Sequence, residues 1–384
     1  MSPSLSNRRR LACTLAAALL LVSLPGRAQH DPTAGNTRSK PYTAVDGKGG
    51  QELSGPYVAV DDWPLPLPNH DGWQMSRAAG VWAESPDRIW VTTSGELPVT
   101  YQGARQWGPT TIPKLVPALG ELTLRIGRYE HTILVFDRAG RLVESWDQWH
   151  QKVRGINRNL VNPYDKEPHI WIVDQGSNSA FKFSRDGKRI LLEITAASVP
   201  GADPKAFSAQ DMAFLPNGDF YLTGASRISR FSAGGKYLSG INKPGSGPGE
   251  LQGTHGIQVD DRGRVYVADR GNSRIQVFDQ NLGYVDQWPN IVAPYCMRLS
   301  KDGQYMWVSD GYTQTFQKYD LEGRRVPGST WGVWGVVPGT LWGPHYFDVD
   351  SEGNLYIAED YNARVQKFRP RPDGLKEQLI DVRP

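Results

Sequence analysis

The stretch "THGIQVDDRGRVYVADRGNSRIQVFD", residues Thr254 to Asp279, sets the strongest limit on what this chain can fold into. Apolar and polar residues alternate through "GIQVD", "RVYVAD" and "RIQVFD", the period of half-buried strands, and the intervening "DRG" and "GNS" are tight-turn sequences. "YVDQW" adds a fourth strand. The template recurs at "FDVDSEGNLYIAEDYNARVQKF", "MRLSKDGQYMWVSDGYTQTFQKYD", "DMAFLPNGDFYLTGASRISRFSAGGKYL" and "HIWIVDQGSNSAFKFSRDGKRIL". The most divergent copy, "GVWAESPDRIWVTT", is rejoined after an insertion by "TILVFDRAGRLVESW". Six such units fit between Arg77 and Pro370.

The first-hairpin glycines Gly218, Gly263, Gly303 and Gly353 are 45, 40 and 50 residues apart, within the ~40–50-residue period of four-stranded propeller blades. One small sheet cannot bury both of its faces, whereas six packed around an axis can. The expected fold is all-β, a six-bladed β-propeller over residues 56–372. The repeat count and uniform strand order disfavour a two-sheet sandwich. "YVAVDDW" (57–63) is a spare strand. It is expected to complete the last blade and close the ring, removing an exposed edge.

The first 28 residues read as a secretory signal peptide: Arg8 to Arg10, the apolar run "LACTLAAALLLVSL", then small residues at Gly26 and Ala28. The run falls short of the ~20 residues that span a bilayer, so no membrane span is expected after cleavage. Residues 29–55 are polar and Gly-rich and read as a flexible linker, and 373–384 as a charged, Pro-rich tail. The formal net charge is +3, but the leader holds four arginines and no acid. The mature chain therefore comes to 39 basic against 40 acidic residues, near −1. Such a balance gives no electrostatic footprint for nucleic acid. Only Cys296 remains after cleavage, so stability has to come from the core and not from a disulfide. An exported protein, periplasmic or secreted, is expected.

The segment "GELQGTHGIQVDDRGRVYVADRGNSRIQVFD" resembles an NHL repeat, and the chain as a whole resembles six-bladed NHL propellers. Within that group it is similar to bacterial relatives of peptidyl-α-hydroxyglycine α-amidating lyase, a likeness also carried by "WGPHYFDVDSEGNLYIAEDYNARVQKFRPRP" and "NPYDKEPHIWIVD".

In a propeller the first strand of each blade lines the centre. Aligning the units on their hairpin glycines gives one column of equivalent positions: Ala79, Asn157, Gln210, His255, Tyr295 and His345. The two histidines fall on blades four and six. Three imidazoles on alternate blades would converge and leave an open metal position, as in catalytic zinc sites. The resemblance implies that His255 and His345 match two metal-binding histidines of the lyase. The third ligand position holds Asn157, an amide that makes a poor zinc ligand; His150 lies nearby in sequence. The cation expected is zinc, with calcium as the other candidate. The alternative reading has both histidines bonding only to backbone and water.

The lyase reaction breaks the C–N bond of a carbinolamide and needs a base and a cation to steady oxyanion charge. The family's base is a tyrosine at a position where this chain has Thr223 and Gly224. Its two arginines correspond to Arg270, retained, and Ser94. Tyr346 stands where the animal enzyme has aspartate. "VSDGY" occurs instead in blade five and ends at Tyr312, a candidate base or a hydrogen-bonding aromatic at the mouth. Arg270 would bind an anionic group, or pair with Asp269. The insertion at about 95–131, with Tyr101, Arg105, Trp107, Arg125 and Arg128, could cover one mouth; such loops often carry specificity. Two functions are open: a metal-dependent carbon–nitrogen lyase, or a binding propeller that has lost catalysis. Either would take a small-molecule or peptide ligand in an axial pocket, or a protein partner.

Overall fold

The computed structural model describes residues 54–70, 72–98 and 128–383. The expected signal peptide (1–28), nearly all of the linker, and Tyr101, Arg105, Trp107 and Arg125 of the insertion lie outside the described residues.

The six units form six antiparallel sheets. Blade one has the strand order Ala78–Ser85, Arg88–Thr93, Ile133–Phe136, Leu142–Ser145. Blades two, three and four follow the same meander, with inner strands Ile156–Val161, Asp211–Phe214 and Thr254–Val259. Blade five pairs three strands from Pro294 to Asp320. Its outer edge meets an irregular segment through bridges at Tyr319–Arg325 and Phe316–Trp331; Pro327, which has no N–H to give to a ladder, interrupts what would be the fourth strand. Blade six takes Pro344–Val349, Leu355–Glu359 and Arg364–Pro370 from one end of the chain and Tyr57–Ala59 from the other. In that pairing Tyr57 faces Pro370 and Ala59 faces Phe368.

The packing follows from the two-residue period. Successive side chains of a strand point to opposite faces, so each second strand serves both neighbouring blades. Trp90 of blade one packs with Ile170 and Phe181 of blade two, while Ile89 and Val91, on its other face, pack with Tyr356 and Ala358 of blade six. The same division repeats around the ring. Six buried apolar clusters each join one pair of adjacent blades. The cluster shared by blades six and one makes the ring continuous.

Hairpins are set by an acidic residue and a glycine. In blade four Asp260 accepts from the N–H groups of Arg262 and Arg264, and Gly263 takes φ +76°, where a side chain would be strained. The 373–383 segment is more integrated than its charged composition suggests. Ile380 and Val382 are buried beside Trp307 and Phe347, and the Tyr57 hydroxyl accepts from the Ile380 N–H at 2.8 Å.

Candidate metal centre

The column of six residues converges because of a shared backbone irregularity. Ala79, Asn157, His255, Tyr295 and His345 are each the second residue of an inner strand, and each sits where the register to the second strand shifts. A bulge leaves one residue unpaired and re-aims its side chain. Gln210 precedes its strand by one residue.

Side chains on the even blades then bond to main-chain carbonyls on the next odd blade. Asn157 Nδ2 donates to Gln210 O at 2.7 Å, His255 Nδ1 to Tyr295 O at 2.9 Å, and His345 Nδ1 to Ala79 O at 2.8 Å. Donation from Nδ1 fixes each imidazole as the Nδ1–H tautomer and leaves Nε2 as a bare lone pair. Those two Nε2 atoms face each other at 3.1 Å, with the rings perpendicular. Two lone pairs at that distance repel unless something positive lies between them. Ligand nitrogens on a tetrahedral zinc with bonds of ~2.0–2.1 Å stand about 3.3 Å apart, close to the observed separation. A proton is disfavoured as the occupant. Burial, with Arg270 and the neighbouring imidazole, holds His255 well below the ordinary histidine range. Burial brings His345 down to about 4, with Arg77 helping and Asp360 opposing. The donor set therefore fits a borderline divalent cation such as zinc.

Asn157 occupies the third alternate position, but its Oδ1 already accepts from Arg77 Nη2 at 2.9 Å. A carbonyl oxygen engaged by a guanidinium is a weak metal donor, so Asn157 is placed to brace the hub and not to ligate a cation. His150 is placed elsewhere: its Nε2 accepts from the His131 N–H at 3.0 Å, in a cluster with His70 and His131. Tyr346 is buried with Arg158 stacked 4.3 Å over its ring. A phenol offers calcium little, since calcium takes carboxylate and carbonyl oxygens.

Arg270 lies 5.0 Å over the Tyr295 ring. It does not pair with Asp269, whose carboxylate is taken by Arg274, Asn272, Gln276 and the Gln252 N–H. Among the described residues Arg270 has no carboxylate partner, so its guanidinium is available to an anion. Tyr312 is 61% exposed and approaches Tyr295 edge-on at 6.3 Å.

Three residues at this mouth escaped the sequence reading. Arg77 forms an ion pair with Asp360 and also bonds Asn157. It supplies a second cation near the histidines from the residue just before strand Ala78–Ser85, and the Ser94 N–H donates to its main-chain oxygen. Tyr361 shares a 2.7 Å hydroxyl–hydroxyl hydrogen bond with Tyr295. A signal was present: "VADRGN" and "IAEDYN" align Arg270 with Asp360 and Gly271 with Tyr361. Neither phenol ionises readily. Tyr295 is pushed far up by burial and by Asp360, and Tyr361 rises to about 12, chiefly by burial. At Gly224, one of the two positions where the resemblance would put a tyrosine, a Cβ would lie 1.7 Å from Ser208 O. At the other ends of the inner strands a cavity of about 480 Å³ is lined in part by Trp82, Phe214, Arg158 and Arg298.

The chain is an NHL-repeat six-bladed β-propeller. A family model described as a 6-bladed beta-propeller, DUF5128, matches residues 225–322. Human NHL repeat-containing protein 3 is 28% identical over 258 residues, 62% of this chain and 72% of the relative. Peptidyl-glycine alpha-amidating monooxygenase A of Xenopus laevis is 32% identical over 271 residues, 63% of this chain but only 27% of that longer protein. A probable peptidyl-alpha-hydroxyglycine alpha-amidating lyase of Caenorhabditis elegans is 30% identical over 130 residues, 32% of this chain and 37% of the relative. Among solved structures, a streptogramin B lyase superposes with a TM-score of 0.51 at 14% identity, covering 77% of this chain and 94% of that one, a likeness of fold alone.

Proposed function

We propose that this chain is an exported, metal-dependent carbon–nitrogen lyase that acts on a small molecule or peptide end bearing a carboxylate beside a carbinolamide. The reading is carried by the facing Nε2 lone pairs of His255 and His345, 3.1 Å apart. Zinc bound there would polarise the substrate hydroxyl and steady its developing negative charge. Arg270 binds the substrate carboxylate, and the Arg77–Asp360 pair and Asn157 hold the hub in place. The substrate R–CO–NH–CH(OH)–COO⁻ loses its hydroxyl proton, the C–N bond breaks, and the nitrogen takes a proton, giving R–CO–NH₂ and glyoxylate. Tyr312 is the candidate proton acceptor, reaching the mouth from blade five. Support comes from the likeness to the Caenorhabditis elegans protein named as a probable amidating lyase and to the Xenopus amidating monooxygenase. The test is metal analysis of the mature protein together with glyoxylate release from N-benzoyl-α-hydroxyglycine. His255→Ala and His345→Ala are each expected to lose one equivalent of zinc together with turnover. Zinc binding that neither substitution changes sinks the reading.

A second reading, a binding propeller without catalysis, is favoured by one observation: Gly224 has no room for the family's base, and the phenols Tyr295 and Tyr361 are held protonated. In that case N-benzoylglycine or a peptide carboxylate binds at Arg270 but N-benzoyl-α-hydroxyglycine is not cleaved.

A further inference from the structure

A second set of potential ligands lies away from the hub, where blade one meets blade two. His70, Glu96, Glu130 and His131 each bring one ligand atom within 4.8 Å of the others. Glu96 is fully buried, and its two oxygens are treated differently. Oε2 accepts from Arg128 Nε at 2.7 Å, and Arg128 stacks 4.1 Å over Trp73. Oε1 has no hydrogen-bond partner. His131 Nδ1, 3.0 Å away, is also buried without one. His70 Nδ1 lies 2.9 Å from the same Oε1 and 2.7 Å from Arg128 Nη2.

A buried carboxylate oxygen without a hydrogen-bond donor is costly. Here two imidazole nitrogens lie 2.9 and 3.0 Å from it, separations close to those between ligands of one tetrahedral metal ion, about 3.3 Å for bonds of ~2.0–2.1 Å. His131 Nδ1 lies against the carboxylate oxygen that Arg128 leaves open, while His70 Nδ1 lies between the two oxygens, 2.9 Å from Oε1 and 3.1 Å from Oε2. Arg128 thus has the place of an outer partner that orients a ligating carboxylate. His70 must exchange its Arg128 hydrogen bond for the metal, and Arg128 has Glu130, 3.3 Å from its Nε, as a second partner.

We propose that Glu96 Oε1, His131 Nδ1 and His70 Nδ1 form a second divalent-metal site of the zinc class. Two histidines and a glutamate are a catalytic type of zinc ligand set, which leaves a fourth position for water. The site adjoins a cavity of about 530 Å³ whose walls include Tyr129, Asp147, His150 and Gln151, wide enough to admit a small ligand to that position. This inference is independent of the hub histidines.

The experiment is a Co²⁺ titration of chelator-stripped full chain, read by the visible absorption of tetrahedral cobalt. In the His255→Ala/His345→Ala background one equivalent should still bind. Adding Glu96→Gln or His131→Ala should weaken it by more than the roughly 10–100-fold typical of losing an outer partner. His70→Ala, at a partly exposed position, serves if Glu96→Gln does not fold. If the double variant does not fold, the same loss is read as one equivalent fewer in His131→Ala than in the unaltered chain. Absence of cobalt binding in the double variant, or binding indifferent to these substitutions, overturns the site and assigns the Glu96–His131 contact to a shared proton.

Discussion

Across the hub, His255 and His345 meet nitrogen to nitrogen at 3.1 Å, each turned by a carbonyl of the following blade. Neutral rings are a requirement of that arrangement. In metal-free protein, stability should be full above the unfolded histidine value of about 6.5 and fall as pH drops toward about 4, because the unfolded chain takes up protons that folded His345 refuses. Thermal unfolding of the unaltered chain and of His345→Gln across pH 4–7 checks this, with the variant losing that part of the dependence.

Glu359 should act in the opposite sense. Burial raises its carboxyl to about 7 despite Arg364 and Gln366. Its folded value exceeds its unfolded one, so its contribution is complete below pH ~4.5 and disappears as pH rises through ~7, on the order of 3 kcal/mol at ~1.4 kcal/mol per pKa unit. Glu359→Gln, which keeps an oxygen for Arg364 and the Trp342 N–H, should flatten that slope in denaturant titrations.

Gly224→Ala should be severely destabilising. Its Cβ would stand 1.7 Å from a main-chain oxygen, so strand or loop must shift. A loss of about 3 kcal/mol or more is expected in urea unfolding, at the upper end for overpacking.

Replacing Arg270 by Gln should leave the fold unchanged and weaken carboxylate binding. Titration calorimetry with N-benzoylglycine should show a loss of roughly 10–100-fold, the value of a charged hydrogen bond. Arg270→Lys should recover part of it, since a lysine keeps the charge but not the planar fork.

Tyr57→Phe removes the hydroxyl that accepts from the Ile380 N–H. Unfolding free energy should fall by about 1–2 kcal/mol, because that buried donor is left unpaired.

Most of the architecture was legible because strand alternation and hairpin glycines recur at one period. The column from Ala79 to His345 was legible for the same reason: five of the six are the second residue of an inner strand, and Gln210 lies one residue before its own. What the repeat could not show were contacts between non-equivalent residues. Arg77 reaches Asp360 across a separation of 283 residues, and Glu96 meets His131 because the paired strands Arg88–Thr93 and Ile133–Phe136 carry the two flanks of the insertion side by side. The Asp269–Arg274 pair displaces the Asp269–Arg270 pair by simple reach: four residues beyond Arg270, on the adjacent strand, Arg274 lies directly opposite Asp269.

The alternation of side-chain donor and main-chain acceptor around the hub imposes a parity rule. Asn157, His255 and His345 give; Gln210, Tyr295 and Ala79 receive. A ring of five or seven blades would set two givers or two receivers side by side. Gene rearrangements that preserve this hub must therefore add or remove blades two at a time, which makes the blade pair, not the single repeat, the unit of change.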